Sequence, residues 1–435
     1  MRAQDNETLT RVGPGTPAGE LMRQYWIPAL KSSELAPGGA PVRLRLLGEN
    51  FVAFRSPAGE IGIIDHRCAH RCASLFFGRN EEGGIRCVYH GWKFAPDGRC
   101  VDMPSEPPET EFSAKVRLKA AAVREAFDVV WAYIGPREEP PAFPEFDVDG
   151  IPSAERTVRF VFRECNWLQA LEGDIDTVHV GFLHTGGANA AQFEKGSLRY
   201  YGQKNRAPKY EAIATAYGAM YTAYRPAAEG ELYHRVGQFV YPFFAMSPPD
   251  PMGTIGMRGW IPVDDYHTMA VQIHGKRPSV ESLTRPAGHN TVPGAVLNFD
   301  YLPNTADWHG RWRLRQNRDN DYMLDRELQK TGNFTGIQGI YLQDQAVTES
   351  MGPIADRAHE RLGTSDRMIM LSRRQMLKAI AAFRETGEAP PGVDDPALFR
   401  GVRAGYMILP EDRDWLAEIN RYRAEWGGAP IDRVP

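Results

Sequence analysis

Apolar residues recur along this chain with two different periods, and the change from one to the other divides it. Behind the turn Gly13-Pro14-Gly15-Thr16-Pro17, residues 18–25 carry a helical pattern, with Thr16 placed to cap it and Pro17 at the first helical position. From 41 to 133 the pattern changes to short runs rich in β-branched and aromatic residues, at 42–47, 51–55, 61–64 and 129–133, with Gly, Pro or Asn between them. Such spacing predicts a small all-β unit. The stretch 135–152 is rich in Pro and acidic residues and reads as a boundary. Beyond it, 156–164 alternates as a strand and 166–184 reads as a helix. Strand-like runs recur at 210–224, 232–246, 254–262 and 268–274, a Pro/Gly-rich loop covers 277–293, and helical patterns lie near 310–330, 367–386 and 411–426. Strands and helices mix without βαβ alternation, so the expected class is α+β. The expected parts are an N-terminal helical segment (1–30), an all-β domain (31–140) and a larger α+β domain with an antiparallel sheet (141–435).

Composition narrows the function classes. The 435 residues, 42% hydrophobic and 24% charged, are enough for a large core. A net charge of −4 without a basic block makes nucleic acid an unexpected partner. No stretch reaches the roughly eighteen apolar residues of a membrane span, and the polar start has no apolar signal core. Five cysteines are too few and too odd in number for a disulfide framework, so a reducing cytoplasm is the expected location.

The chemistry concentrates in two places. Cys68-Ala69-His70 is followed, seventeen residues after His70, by Cys87-Val88-Tyr89-His90. Two Cys and two His in this spacing, on loops after strands, form the ligand set of a [2Fe–2S] cluster of the Rieske type, in which two imidazoles replace two thiolates on one iron. Gly91-Trp92 supplies a tight turn and an aromatic cover, and Gly83-Gly84 allows close backbone approach. A Cys2His2 zinc site, the bland alternative, favours C-x2–4-C and H-x3–5-H, which these loops do not follow. Cys72 breaks the ligand spacing and reads as a bystander thiol. Cys100 and Cys165 read as core residues.

The second place is Asp176-x2-His179-x4-His184. Asp176 and His179, three apart, would share one helical face. His179 and His184, five apart, stand about 140° apart on an ideal helix, so the helix must end or deform between them, with Gly181 and Thr185-Gly186-Gly187 as weak points. Two His and one carboxylate on one face are the ligand set of a non-haem Fe(II) centre that reacts with O₂. The carboxylate must come from elsewhere. The segment 336–356 offers Asp344, Glu349 and Asp356; Asp344 is the first choice and Glu349 the reserve.

With these motifs the chain resembles the oxygenase component of the Rieske non-haem iron aromatic-ring-hydroxylating family, within it the phthalate 4,5-dioxygenase and phenoxybenzoate dioxygenase branch. The runs that carry the resemblance extend from about residue 10 to about 375: Arg11-Val-Gly-Pro-Gly-Thr-Pro, Ala73-Ser-Leu-Phe-Phe-Gly-Arg, Arg86-Cys-Val-Tyr-His-Gly-Trp-Lys-Phe, Asn166 to His184, Gln338-Gly-Ile-Tyr-Leu-Gln-Asp-Gln-Ala and Glu349-Ser-Met-Gly-Pro-Ile. The resemblance implies that Cys68, His70, Cys87 and His90 hold the cluster and that His179, His184 and Asp344 hold the iron. It implies that Asp176 bridges His179 to a cluster histidine of a neighbouring subunit, in a homotrimer or stacked hexamer. Electrons would come from NADH or NADPH through a separate reductase with flavin and a [2Fe–2S] centre. Cys72 departs from the family, where Gly is common.

The expected activity is hydroxylation of a small aromatic substrate, by the branch a carboxylate, with O₂ and reductase-derived electrons. A carboxylate substrate needs a guanidinium partner, for which Arg206, Arg225 and Arg235 are candidates, each also readable as a structural Arg. Two alternatives stand beside this expectation. One is a monooxygenase that demethylates aryl ethers; the other, from a different class, is an electron-transfer or redox-sensing protein whose second half only binds a ligand.

Overall fold

The computed structural model describes residues 1–433 apart from 187, 194, 196–197, 249–251 and 276–298. The predicted loop at 277–293 lies outside the described residues. The α+β class is observed. An all-β unit of three small antiparallel sheets comes first: Ile27–Lys31 with Val129–Tyr133 and Ala122–Ala126; Val42–Leu46 with Glu49–Arg55 and Ile61–Asp65; and four short strands from Arg79–Glu81 to Cys100–Asp102. An eight-stranded antiparallel sheet follows, in the order Arg156–Arg163, Thr268–Gly275, Gly256–Pro262, Phe244–Met246, Glu231–Val240, Gly218–Pro226 and Lys209–Thr215, with Gly405–Pro410 also pairing with Glu231–Val240. The two units are knitted together through backbone. The N–H groups of Leu47 and Gly48 donate to the carbonyls of Pro262 and Val263 at 3.0 and 2.9 Å. Arg311 grips Glu34 through Nε and Nη2 at 2.7 and 2.8 Å.

A further link had no signal in the sequence. Asp264, buried at the turn between two sheet strands, meets Arg45 of the all-β unit at 3.3 Å, His267 Nδ1 at 2.8 Å and His309 Nε2 at 3.2 Å. The two imidazoles stack, with ring centroids 4.1 Å apart and planes 28° from parallel. The stacked rings address separate carboxylate oxygens beside a guanidinium, so this one carboxylate ties both units together.

Several expected elements change. The helical pattern near 310–330 is instead an irregular strap with a 3₁₀ turn, Arg318–Met323, and one short α-helix, Arg326–Thr331. Its Asn and Asp side chains bond to nearby backbone: Asn317 accepts from Asp319 N and Asp325 caps the short helix, so the polar residues favour turns over a continuous helix. The run 210–224 is a hairpin, and 232–246 is two strands. The run 166–184 is helical only over Trp167–Ile175. Helix Arg367–Thr386 follows its pattern closely and ends on Gly387 at φ +72°.

His234 is buried on the sheet, with its Nδ1 3.0 Å from the Thr222 hydroxyl, its ring stacked on Tyr224 and its Nε2 without a partner. Burial pushes its pKa down to about 4. The unfolded chain, with an ordinary histidine near pH 6.5, binds a proton that the folded one refuses, so stability falls as pH drops from about 6.5 towards 4. His234→Phe is expected to keep the stacking and to shrink the stability difference between pH 7 and pH 5 by about 2 kcal/mol, measured by urea unfolding at the two pH values.

Candidate metal centres and the buried arginines

The two cluster-type loops lie side by side in the all-β unit. Cys68 to His70 follow strand Ile61–Asp65, and Cys87 to His90 join strands Gly84–Arg86 and Lys93–Phe94. Each loop is closed by its own backbone: Cys68 N donates to Ala73 O and Cys87 N to Trp92 O, both at 2.8 Å. Gly91 sits at φ +79°, where a Cβ would stand 2.7 Å from Pro104 Cγ. Cys72 takes φ +60°, a left-handed conformation that glycine adopts most readily. The rings of His70 and His90 are 4.4 Å apart, and His70 stacks on Trp92 at 4.5 Å and 8°. Cys68 and Cys87 are buried between them.

These residues fit a [2Fe–2S] group. His70 Nδ1 is buried without a hydrogen-bond partner, a lone pair facing inward beside two buried sulfurs. Burial pushes the Cys68 thiol up to about 11, so a thiolate there requires a cation. Cys72 is exposed; Cys100 and Cys165 are buried and unpaired.

The second group forms where helix Trp167–Ile175 ends. Asn166 caps it by accepting from Leu168 N, and the helix stops because Asp176 turns extended (φ −77°, ψ 121°) and its side chain accepts from Val178 N at 2.8 Å. The expectation of a shared helical face for Asp176 and His179 is therefore corrected. The break falls before His179, which opens a short 3₁₀ turn, His179–Gly181, and this brings His184 back to it. His179 Nε2, His184 Nε2 and Asp344 Oδ1 lie 3.2 to 3.4 Å from one another. Ligands about 2.1 Å from one metal stand about 3.0 to 3.4 Å from one another for angles of about 90° to 109°, so these three atoms can share one ion.

Asp344 reaches the histidines from helix Ile340–Ser350. The other acid of that helix is occupied elsewhere: Glu349 accepts from Glu164 N at 2.9 Å and Gln345 Nε2 at 2.8 Å, and from the Tyr322 hydroxyl. Asp356, exposed, pairs with His359. Asp176 lies 3.4 Å from His179 Nδ1, on the side of the ring away from Asp344. Burial opposes a proton on His179, but Asp176 and Asp344 carry it up to about 10, while both histidines hold the Asp344 carboxyl well below its ordinary value.

Of the three arginines, Arg206 is committed to the loop: it bonds Gln203 Oε1 and Ala188 O and covers Phe182. Arg225 and Arg235 differ. They occupy adjacent strands, and the register pairs Arg225 with Tyr233, and Ala223 with both Arg235 and Tyr210, so all point to one sheet face. Both guanidiniums are buried, their Nε atoms lack partners, and among the described residues no carboxylate forms an ion pair with either. The hydroxyl of Tyr210 on the same face is also buried without a partner, and those of Tyr221 and Tyr233 are buried beside Thr177 and the Arg235 guanidinium. Burial, then the neighbouring charge of Arg235, pushes Arg225 down to about 10. Asp176, which backs His179, acts electrostatically on Tyr210 and Tyr221 of this sheet face. The phenols, isolated along strands, had no sequence signal.

An all-β unit with a Cys2His2 cluster cradle, joined to an antiparallel sheet that carries a two-histidine, one-carboxylate triad, defines a two-centre iron oxygenase. Residues 25–120 match the Rieske [2Fe-2S] domain, and residues 132–429 match the LigXa C-terminal domain like family. The chain is 48% identical over 417 residues to the 3-chlorobenzoate-3,4-dioxygenase oxygenase subunit of Comamonas testosteroni, covering 95% of this chain and 96% of that one. It is 38% identical over 442 residues to the phthalate 4,5-dioxygenase oxygenase subunit of Pseudomonas putida, covering 97% and 95%. The crystal structure of dicamba monooxygenase bound to dicamba shares the fold, with a TM-score of 0.55 at 16% identity over 83% of this chain and 98% of that one. The chain belongs to the Rieske non-haem iron ring-hydroxylating oxygenases, as a terminal oxygenase component that carries a [2Fe–2S] cluster and a mononuclear iron. That activity sets aside the purely electron-transferring alternative.

Asp344→Ala is expected to strip the mononuclear iron while the visible absorbance of the cluster stays. Glu349→Gln should keep both. Iron content by chelation assay, read beside the cluster spectrum, checks the pair.

Proposed function

We propose that Cys68, His70, Cys87 and His90 hold the cluster, that His179, His184 and Asp344 hold the catalytic iron, and that the substrate is an aromatic carboxylate gripped by Arg225 and Arg235. The carboxylate rests on one observation: two buried guanidiniums with no anion of their own, on the sheet face whose Tyr210 and Tyr221 feel the charge of Asp176. Burying such charges unpaired is costly, and an arriving carboxylate offsets that cost with charge-assisted hydrogen bonds. The buried phenols of Tyr210, Tyr221 and Tyr233 flank the ring and exclude water. The bound centres supply single electrons and the activation of O₂. Asp176 accepts from His179 Nδ1–H and so presents Nε2 towards Asp344. With its second oxygen Asp176 reaches a cluster histidine of a neighbouring subunit, which makes the working unit a homotrimer or stacked hexamer. A cytoplasmic flavin and [2Fe–2S] reductase delivers electrons from NADH or NADPH.

The reading is tested by product analysis with a surrogate reductase, NADH and a panel of benzoates, phthalates and aryl ethers under ¹⁸O₂. A diol with two labelled oxygens from a benzoate or phthalate supports it; formaldehyde release from aryl ethers alone means demethylation and overturns it. Arg225→Met and Arg235→Met should each raise KM for the carboxylate about 10- to 100-fold while leaving the matching carboxamide little changed, since a hydrogen bond to a charged group is worth about 1.5–3 kcal/mol.

Asp176→Asn separates three roles. As an iron ligand it would lose iron; as a surface charge it would be silent. As the bridge, the amide keeps the shape but not the charge, so both metals stay while single-turnover reoxidation of the cluster with substrate bound slows severely. Wild-type reoxidation with full metal would reject the bridge and the need for a neighbouring subunit.

A further inference from the structure

The two triad histidines are backed differently. Behind His179 stands the Asp176 carboxylate; behind His184 stands Gln343, fully buried, with Oε1 2.8 Å from His184 Nδ1. The amide cannot be the other way round. Its second atom faces the Ile337 carbonyl at 2.8 Å, and a carbonyl only accepts, so that atom is the NH₂ group. Oε1 therefore accepts, His184 Nδ1 carries the proton, and the lone pair is left on Nε2, the atom facing His179 and Asp344. The reference point is itself braced. Ile337 O also accepts from Asn333 Nδ2 at 2.8 Å and Thr335 Oγ1 at 3.3 Å, and Asn333 Oδ1 takes the N–H groups of Thr335 and Gly336. Gln343 and Asp344 are consecutive on one helix, so a single turn grips both nitrogens of one imidazole.

We infer that Gln343 is a positioning residue: it sets the tautomer and ring orientation of His184 for iron, and as a neutral acceptor it makes His184 the weaker-donating partner of the carboxylate-backed His179. The inference rests on His184 being an iron ligand. Outer partners of ligating histidines are worth about 10- to 100-fold in metal affinity. Gln343→Met fills the same volume without an acceptor, whereas Gln343→Glu, as the neutral acid whose O–H donates to the Ile337 carbonyl, keeps an uncharged acceptor oxygen facing Nδ1.

The test is iron content and the rate of Fe(II) release to a chelator in full-length protein with its cluster, whose absorbance and thermal midpoint report folding. Gln343→Met should release iron about 10- to 100-fold faster, and Gln343→Glu should stay within about threefold of wild type. A packing role alone predicts the reverse order, with the apolar isostere harmless. Wild-type release from Gln343→Met, or equal losses from both variants, overturns the inference. Gln343→Leu replaces the Met variant should that one not fold. His184→Ala separates the two levels: iron retained there overturns the ligand assignment itself, whereas iron lost there and kept in Gln343→Met overturns only the role of Gln343.

Discussion

Everything at the metal triad depends on how closely helix Trp167–Ile175 is held against helix Ile340–Ser350, because the first delivers the histidines and the second the carboxylate. Gln169 crosses between them, donating to Thr348 O at 2.9 Å and Gly352 O at 2.7 Å. Gly173 permits the approach, since a Cβ there would meet Thr348 Cγ2 at 3.1 Å. Arg163, 1% exposed, reaches the second helix from the sheet, bonding the Thr348 hydroxyl and lying over the Tyr341 ring. On the far side Glu172 receives both Arg357 and Arg373, at 2.8 and 2.6 Å. Burial works against the charge on Glu172, and the two guanidiniums reverse that, keeping its carboxyl below the ordinary range. Removing one member of such a buried network leaves an uncompensated charge, which is strongly destabilising, so the helix keeps its position only while all three partners are present.

The same logic of closed local loops recurs in the all-β unit at smaller scale. Each cluster-type loop is tied by backbone hydrogen bonds, and Trp92, held by its own bond to Ser105 Oγ at 3.1 Å, gives His70 a flat wall. The outer edge is different in kind: Val88 and Tyr89 are exposed, with Arg71 on the Tyr89 ring and hydroxyl. The sulfur side of the two loops is buried, and their outer edge carries an exposed aromatic ring paired with a guanidinium.

The sheet forms the wall of the proposed substrate site. Its strands put Arg225, Arg235 and three phenols on one face because side chains alternate along a strand, so residues far apart in the chain converge without a dedicated loop. Gly237 shows how tight that face is: a Cβ there would sit 2.4 Å from Tyr221 Cε1. The triad is asymmetric, with a carboxylate behind one imidazole and a neutral amide behind the other. Charge behind His179 and neutrality behind His184 leave the two imidazoles unequally basic.

Local pattern alone carried the all-β unit, the helix at 367–386 and both cluster-type loops, because strand alternation, capping residues and Cys/His spacing act over a few residues. The pairing of His179 with His184 was legible as a conflict, since an undistorted helix cannot bring both to one ion. Where the helix yields was not legible. It yields at Asp176, whose side chain bonds to backbone in place of the helical ladder. Tertiary structure alone decided between Asp344 and Glu349, which stand five apart on one helix: the fold gives Glu349 to Glu164, Gln345 and Tyr322 and leaves Asp344 facing the histidines. It likewise separated Arg206, spent on its own loop, from Arg225 and Arg235, and it brought Gln343 to His184, 159 positions apart. These choices depend on which groups share a buried volume, and no period or motif encodes a contact between distant segments.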